Sequence, residues 1–284
     1  MASIKNWIVF GVKWVIILML ASWFLLISPI QTQNLQNLGG SKKGLALTGS
    51  KVEDVEALNA SWFYVYSVST SYLSNPGYVP MFGDGTPDGN LPNDYDGFVL
   101  VFNEPFGVPP YGIDISAEEG AQRWLMLLDL YENAKFVVGG VVNASTNWVG
   151  EFLSYLEEDE YPEYWHVHHY LYDPDSLEWA IGNIRDFHDF VNAPIWVTEF
   201  GSITADQDLT RRFMFFLETT DWIEHYAYFP TRIPEVSGMT PPWWPSHWNL
   251  DMALIEWESG EITGMGETFR DFSVKSYYLP IVAK

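Results

Sequence analysis

The sequence predicts an α/β protein, a (β/α)8 TIM barrel preceded by an N-terminal hydrophobic export or anchor segment, and three observations point there. Apolar strand-like runs alternate with amphipathic helical ones, the pattern of a parallel sheet. Eight such runs fit into the roughly 245 residues that follow the N-terminal segment, the length of one barrel domain. Connections that enter a strand are short, as at 132–135 and 192–194, whereas those that leave one are long and rich in Gly, Pro, Asp and aromatic residues. In a barrel the long loops crown the C-terminal face, where active sites are built.

Composition narrows the partners. The 284 residues hold 37 Asp and Glu against 14 Lys and Arg, and a net charge of −23 argues against nucleic acid or an anionic membrane surface. A neutral substrate suits such a surface better. With no Cys in the chain, a thiol nucleophile, a disulfide framework and a Cys-ligated metal are all excluded.

In chain order, residues 1–31 carry Lys5 and Lys13 and then an apolar run from Trp14 to Ile30 broken only by Ser22, Ser28 and Pro29. That run falls between a signal-peptide core and a full membrane span. No small-x-small cleavage site precedes Gln31, which favours an uncleaved signal anchor over a signal peptide. Either one keeps the positive flank inside and exports the rest, so the protein is expected outside the cell or on its surface, touching membrane only through this segment. Residues 32–42 read as a polar linker and 43–284 as the catalytic barrel.

Strands are expected at 44–47, 62–68, 78–82, 98–102, 136–142, 165–170, 195–200 and 225–229. Ser116-Ala-Glu-Glu119 reads as a capping box that opens an amphipathic helix with Trp124, Leu127, Leu128 and Tyr131. Asp175 or Ser176 caps a second helix over 177–191, and 209–217 forms a third. The last segment, 250–284, reads as a final helix with a short strand excursion through 252–256.

Two strands end alike. Residues 98–105, FVLVFNEP, run without alternation, as in a strand covered on both faces, into Asn103, Glu104 and Pro105. Residues 194–201, PIWVTEFG, repeat the design with Glu199. One glutamate after a strand is ordinarily a helix-start acid or a solvated loop charge, but the same placement twice points to paired carboxylates. Pro105 pushes Glu104 out of the helical region, so Glu104 is expected in extended or turn geometry. Two carboxylates about 5–5.5 Å apart are the arrangement for retaining cleavage of a glycosidic bond, one as nucleophile and one as general acid and then base. Pro105, Phe102 and Phe106 offer Glu104 a partly dry setting in which to hold a proton, which leaves Glu199 as nucleophile. Asn103 is placed to bond a sugar hydroxyl beside the reacting carbon.

Further candidates keep two readings each. His166 and His168 share a strand face, but no second His cluster supplies more ligands, so neither metal nor cofactor is expected. His168 is then a hydrogen-bonding group under the sugar or a satisfied core histidine. Tyr170 and Tyr228, at the ends of strands six and eight, bond the nucleophile or a sugar hydroxyl, or belong to the core. Trp148, in the loop after strand five, and Trp243, Trp244 and Trp248, after strand eight, offer indole faces to pyranose rings or pin their own loops.

Val101 to Pro105 and Trp196 to Phe200 resemble the two catalytic motifs of clan A retaining glycoside hydrolases. Lys43-Gly44-Leu45-Ala46, Tyr78-Val79-Pro80-Met81, the Trp148 loop, His168-His169-Tyr170, Tyr226-Ala227-Tyr228-Phe229 and Gly260-Glu261-Ile262-Thr263-Gly264 are similar to the Asl1-like catalytic domain, glycoside hydrolase family 128. The resemblance spans 43–272 and implies an endo-acting β-1,3-glucanase that holds a curved glucan across the barrel mouth. His168-His169-Tyr170 stands where the family pattern has His-Trp-Tyr, and Gly201-Ser202 where it often has Ala-Cys. Those departures spare the carboxylates and bear on the substrate. A monomer acting on β-glucan is expected. The alternatives are a non-catalytic β-glucan-binding surface protein on the same fold and a clan A glycosidase of other β-glycan specificity.

Overall fold

The computed structural model describes residues 41–49, 51–107, 109, 112–234, 245 and 248–275. The expected export segment, most of the linker, and Trp243 and Trp244 lie outside them. Among the described residues no helix is long and apolar enough to cross a membrane.

Eight parallel strands form the sheet: β1 (Lys43–Ala46), β2 (Trp62–Tyr64), β3 (Met81–Phe82), β4 (Phe98–Val101), β5 (Lys135–Val142), β6 (Tyr164–Leu171), β7 (Ile195–Ser202) and β8 (Ile223–Tyr228). Their order is β2-β1-β8-β7-β6-β5-β4-β3. One isolated parallel bridge, Phe63 to Tyr78, brings the two ends together, and the result is a nearly closed (β/α)8-type barrel. All eight expected strands are present, although β2 and β3 are shorter than their apolar runs because Val65 to Val68 and Tyr78 to Pro80 continue as loop.

The helices are α1 (Glu53–Ala57), α2 (Ala117–Leu130), α3 (Thr146–Leu153), α4 (Pro174–Val191), α5 (Gln207–Thr219) and α6 (Gly264–Asp271). The connections from β2 to β3 and from β3 to β4 run as loop with no helix. Ser116 caps α2 by accepting from the Glu119 N–H, but the expected capping box is half formed, because the Glu119 carboxylate accepts from Arg123. The cap of α4 corrects the expectation: it is Asp173, which accepts from the Ser176 N–H, so Asp175 and Ser176 lie inside the helix. Pro174 explains the earlier start, since its fixed φ suits the first helical position. The strand excursion near the end reduces to one antiparallel bridge, Ile255 to Ile262.

Strand parity divides the core. Side chains alternate across a strand. Ala46, Trp62, Tyr64, Val79, Met81, Leu100, Val137, Trp196 and Ala227 fill the barrel. Their neighbours in sequence, such as Phe63, Val99, Val101, Val138 and Val197, face the surrounding layer.

Candidate active site

Two bulges set the site. In β5, Gly139 pairs with His166 and Val141 with Val167, so Gly140 is an extra residue. In β7, Val197 pairs with Val167 and Glu199 with His168, so Thr198 is extra. A bulge interrupts the alternation of side chains. Thr198 therefore reaches His166 inside the barrel while its neighbour Glu199 reaches the cleft above.

The β5 bulge serves the other glutamate. The Glu104 N–H donates to the Gly140 carbonyl at 3.1 Å, and the Glu104 carbonyl accepts from the N–H groups of Gly107 and Ile113. The chain turns there through positive φ at Phe102 (71°) and Glu104 (51°). Of the extended and turn geometries expected ahead of Pro105, Glu104 thus takes the turn, in a left-handed bend. Gly140, with φ 60°, is required at the contact, because a Cβ on it would sit 2.9 Å from the Phe102 carbonyl and 3.0 Å from the His166 ring.

Glu104, His168 and Glu199 converge. Each offers an atom within 4.8 Å of the other two, a spacing that would also suit a cation. His168 Nδ1 lies 3.1 Å from Glu104 Oε1 and 3.6 Å from Glu199 Oε2. Burial alone would lower this imidazole, but the Glu199 charge, then the hydrogen bond and charge of Glu104, outweigh it and raise its pKa. The Glu199 carboxyl is also raised, chiefly by burial, with Glu104 adding to the rise while His168, Tyr170 and Tyr66 oppose it. Its oxygens are densely bonded: Oε1 accepts from Tyr66 at 2.9 Å and Tyr64 at 3.3 Å, and Oε2 accepts a short bond from Tyr170. Burial and the adjacent Glu199 charge push all three phenols well above their ordinary pKa, so they remain donors.

Beneath them, His166 ties the strands together. Its Nε2 meets the Val101 carbonyl at 3.0 Å and its Nδ1 meets Thr198 Oγ1 at 2.7 Å. A carbonyl only accepts, so Nε2 carries the proton; burial and then His168 hold the ring neutral, with a pKa lowered to about 3, and Nδ1 accepts from the threonine hydroxyl. One neutral imidazole thus registers the strand leading to Glu104 against the strand carrying Glu199.

These groups open onto a cleft of about 1210 Å³ at the C-terminal face, lined among others by Asn103, Glu104, Asn143, Tyr170, Tyr172, Glu199 and Trp248. Trp248 packs at 4.5 Å on the Tyr170 ring. Of the sequence candidates, Asn103, Glu104, Tyr170, Glu199 and Trp248 line the cleft, and His168 lies buried against both glutamates. Two others lie elsewhere. Tyr228 falls on the outer parity of β8, bonds the Met252 carbonyl and packs on Phe200 and Phe269. Trp148 is in the first turn of α3 rather than a loop, bonds the Ile115 carbonyl and packs on Phe102 and Phe152. Tyr64 and Tyr66 are the residues that sequence reasoning missed. Their spacing of two at the end of β2 was the available signal, since it puts both on one face.

Residues 44–253 match the model of the family described as glycosyl hydrolase catalytic core. No curated protein matches the chain. Among solved structures, the fold is similar to that of a glycoside hydrolase family 128 exo-β-1,3-glucanase from Cryptococcus neoformans, at 24% identity and TM-score 0.62 over 81% of this chain and 98% of that one. It is likewise similar to a family 128 endo-β-1,3-glucanase from Amycolatopsis mediterranei in complex with laminaritriose, at 20% identity and TM-score 0.62 over 81% and 99%. A curdlan-specific family 128 exo-β-1,3-glucanase from Blastomyces gilchristii, in complex with glucose, gives 19% identity and TM-score 0.60 over 83% and 99%.

Proposed function

Since the chain belongs to the glycosyl hydrolase catalytic core family, we propose that this glycoside hydrolase is a retaining endo-β-1,3-glucanase with Glu199 as nucleophile and Glu104 as acid and base. Glu199 attacks the anomeric carbon as the bond to the leaving oxygen breaks, and Glu104 gives that oxygen its proton. Water then loses a proton to Glu104 and attacks the same carbon, which releases Glu199 and regenerates both groups.

The observation that carries the proposal is the convergence of the two carboxylates, with oxygens within 4.8 Å, over one cleft. That is nearer the retaining separation of about 5–5.5 Å than the roughly 6.5–9.5 Å that inversion needs for its water. The division of roles follows the donors. Three phenols on Glu199 favour its anion, while Glu104 has the more open side chain, 14% exposed against 5%, as suits a group that exchanges protons. The cleft exceeds the roughly 300–1,000 Å³ of a small-ligand pocket, which supports binding within a chain. The sequence motifs and the laminaritriose held by the Amycolatopsis mediterranei enzyme favour β-1,3 linkages. The export segment favours action at or beyond the cell surface, and we expect a monomer.

The deciding experiment is anomeric analysis by NMR of the first products released from laminarin and a panel of other β-glycans, with and without a chelator. β-Anomeric laminari-oligosaccharides that persist with chelator support the proposal. Release from another glycan alone would replace the substrate, loss on chelation would replace the mechanism with metal-assisted hydrolysis, and binding without cleavage would favour a glucan-binding protein.

A further inference from the structure

The oxygens of Glu199 are held unequally. Tyr170, 6% exposed, serves Oε2, while Tyr64 and Tyr66, both from the end of β2, converge on Oε1. Tyr64 is fully buried, and its one proton faces two groups that only accept, the Thr198 carbonyl at 3.1 Å and Oε1 at 3.3 Å. It serves one at a time, and the carbonyl is nearer. Tyr66 makes the shorter bond to Oε1, at 2.9 Å. Its ring meets Tyr64 at 5.4 Å and Phe229 at 6.4 Å, which fixes its position, yet the side chain lines the cleft and stays 37% exposed.

We propose that Tyr66 is a positioning residue that holds Oε1 of the nucleophile and extends that hold into the part of the cleft a bound sugar covers. The inference rests on the assignment of Glu199 as nucleophile. A sugar settling on the open part of the Tyr66 side chain displaces the water beside its bond to Oε1, and a hydrogen bond to a charged oxygen strengthens in drier surroundings. Substrate binding then reinforces both the ionisation and the aim of the carboxylate. The groups facing Glu199 are Tyr64 from β2 and Tyr66 two residues beyond it, Glu104 beyond β4, and His168 and Tyr170 from β6. Removing the Tyr66 hydroxyl takes away a donor that favours the charged form, so the pH below which the enzyme loses activity rises.

The test is kcat, KM and the pH profile of kcat/KM on laminarin for wild type, Tyr66→Phe, Tyr66→Ala, Tyr64→Phe and Glu199→Ala, with thermal melts to report folding. Tyr66→Phe keeps the ring and its packing. It is expected to lower kcat about 10- to 100-fold, the usual weight of a hydrogen bond to a charged group, with KM nearly unchanged and the acid limb moved to higher pH. Tyr66→Ala should add a rise in KM, and Tyr64→Phe should cost less than Tyr66→Phe. A folded Tyr66→Phe with wild-type kcat and acid limb, or a larger effect from Tyr64→Phe, overturns the proposal while leaving the nucleophile in place. A wild type without turnover, or activity retained in Glu199→Ala, removes the nucleophile and this inference with it.

Discussion

Within β7, Glu199 is part of its strand, buried, and held through its side chain by Tyr64 of β2, Tyr66 just beyond it and Tyr170 of β6. At the end of β4, Glu104 lies past the strand in a left-handed bend, its main chain bonded to Gly140, Gly107 and Ile113 and its carboxylate to one side chain, His168, at 3.1 Å. A nucleophile must stay ionised and keep its aim, which side-chain donors achieve. An acid and base must exchange protons with changing partners, and a carboxyl placed by its backbone with one side-chain partner is freer to do so than one held by three phenols.

Breaking each carboxyl separately gives the largest effects. Glu199→Ala should lose on the order of 10⁵-fold in kcat, and Glu104→Ala about 10²- to 10⁴-fold, least with an activated leaving group. With azide supplied, the first variant should form an α-glycosyl azide and the second a β-glycosyl azide; the opposite pairing would exchange the two roles. Next in size is Gly140→Ala, which puts a methyl against the Phe102 carbonyl in a left-handed conformation. We expect a loss of about 2–3 kcal/mol in denaturant unfolding and a fall in kcat as the Glu104 bend shifts. Gly182→Ala, on α4 with no atom within 4 Å of the new Cβ, should instead be neutral or stabilising by up to about 1 kcal/mol.

His168 touches both ends, so its removal sharpens the contrast. Burial raises the Glu199 pKa, and the positive charge of His168 lowers it. Activity that needs the Glu199 anion should therefore fade, as pH falls, above the ordinary carboxylate range, and His168→Gln should move that limb higher still, as a kcat/KM profile would report. The smallest effect concerns charge. Asp84 and Asp88 join the two glutamates along the cleft, and none of the described residues that line it is Lys or Arg. A lightly carboxymethylated β-1,3-glucan should be cleaved a few-fold more slowly than a hydroxyethylated one of equal substitution, with a gap that narrows as salt is added.

The strands were legible because most bury a largely apolar run, although β6 (YWHVHHYL) and β8 (IEHYAY) carry polar residues, and the catalytic glutamate candidates because each follows an apolar run. Side-chain direction was harder. Tyr228 and Trp148 stand near strand ends as the site residues do, yet the parity of β8 and the start of α3 turn both outward. The bulges at Gly140 and Thr198 reverse the same logic, and nothing in PIWVTEFG marks where the extra residue falls. Tyr66 and Glu199 meet across 133 positions of sequence, so their bond follows only from closing the barrel.

That closure is uneven, and the single bridge between Phe63 and Tyr78 has a dynamic consequence. Amide hydrogen exchange should run fastest along this seam and slowest in β6 and β7, the most extensively paired strands. Counted round the ring, Glu104 follows the second strand from the seam on one side, and Glu199 lies on the fourth from the other. A partly opened barrel would draw Tyr64 and Tyr66 away from Glu199 and unsettle the Glu104 bend while the β7 backbone stays paired, so activity on warming should vanish before the fold does.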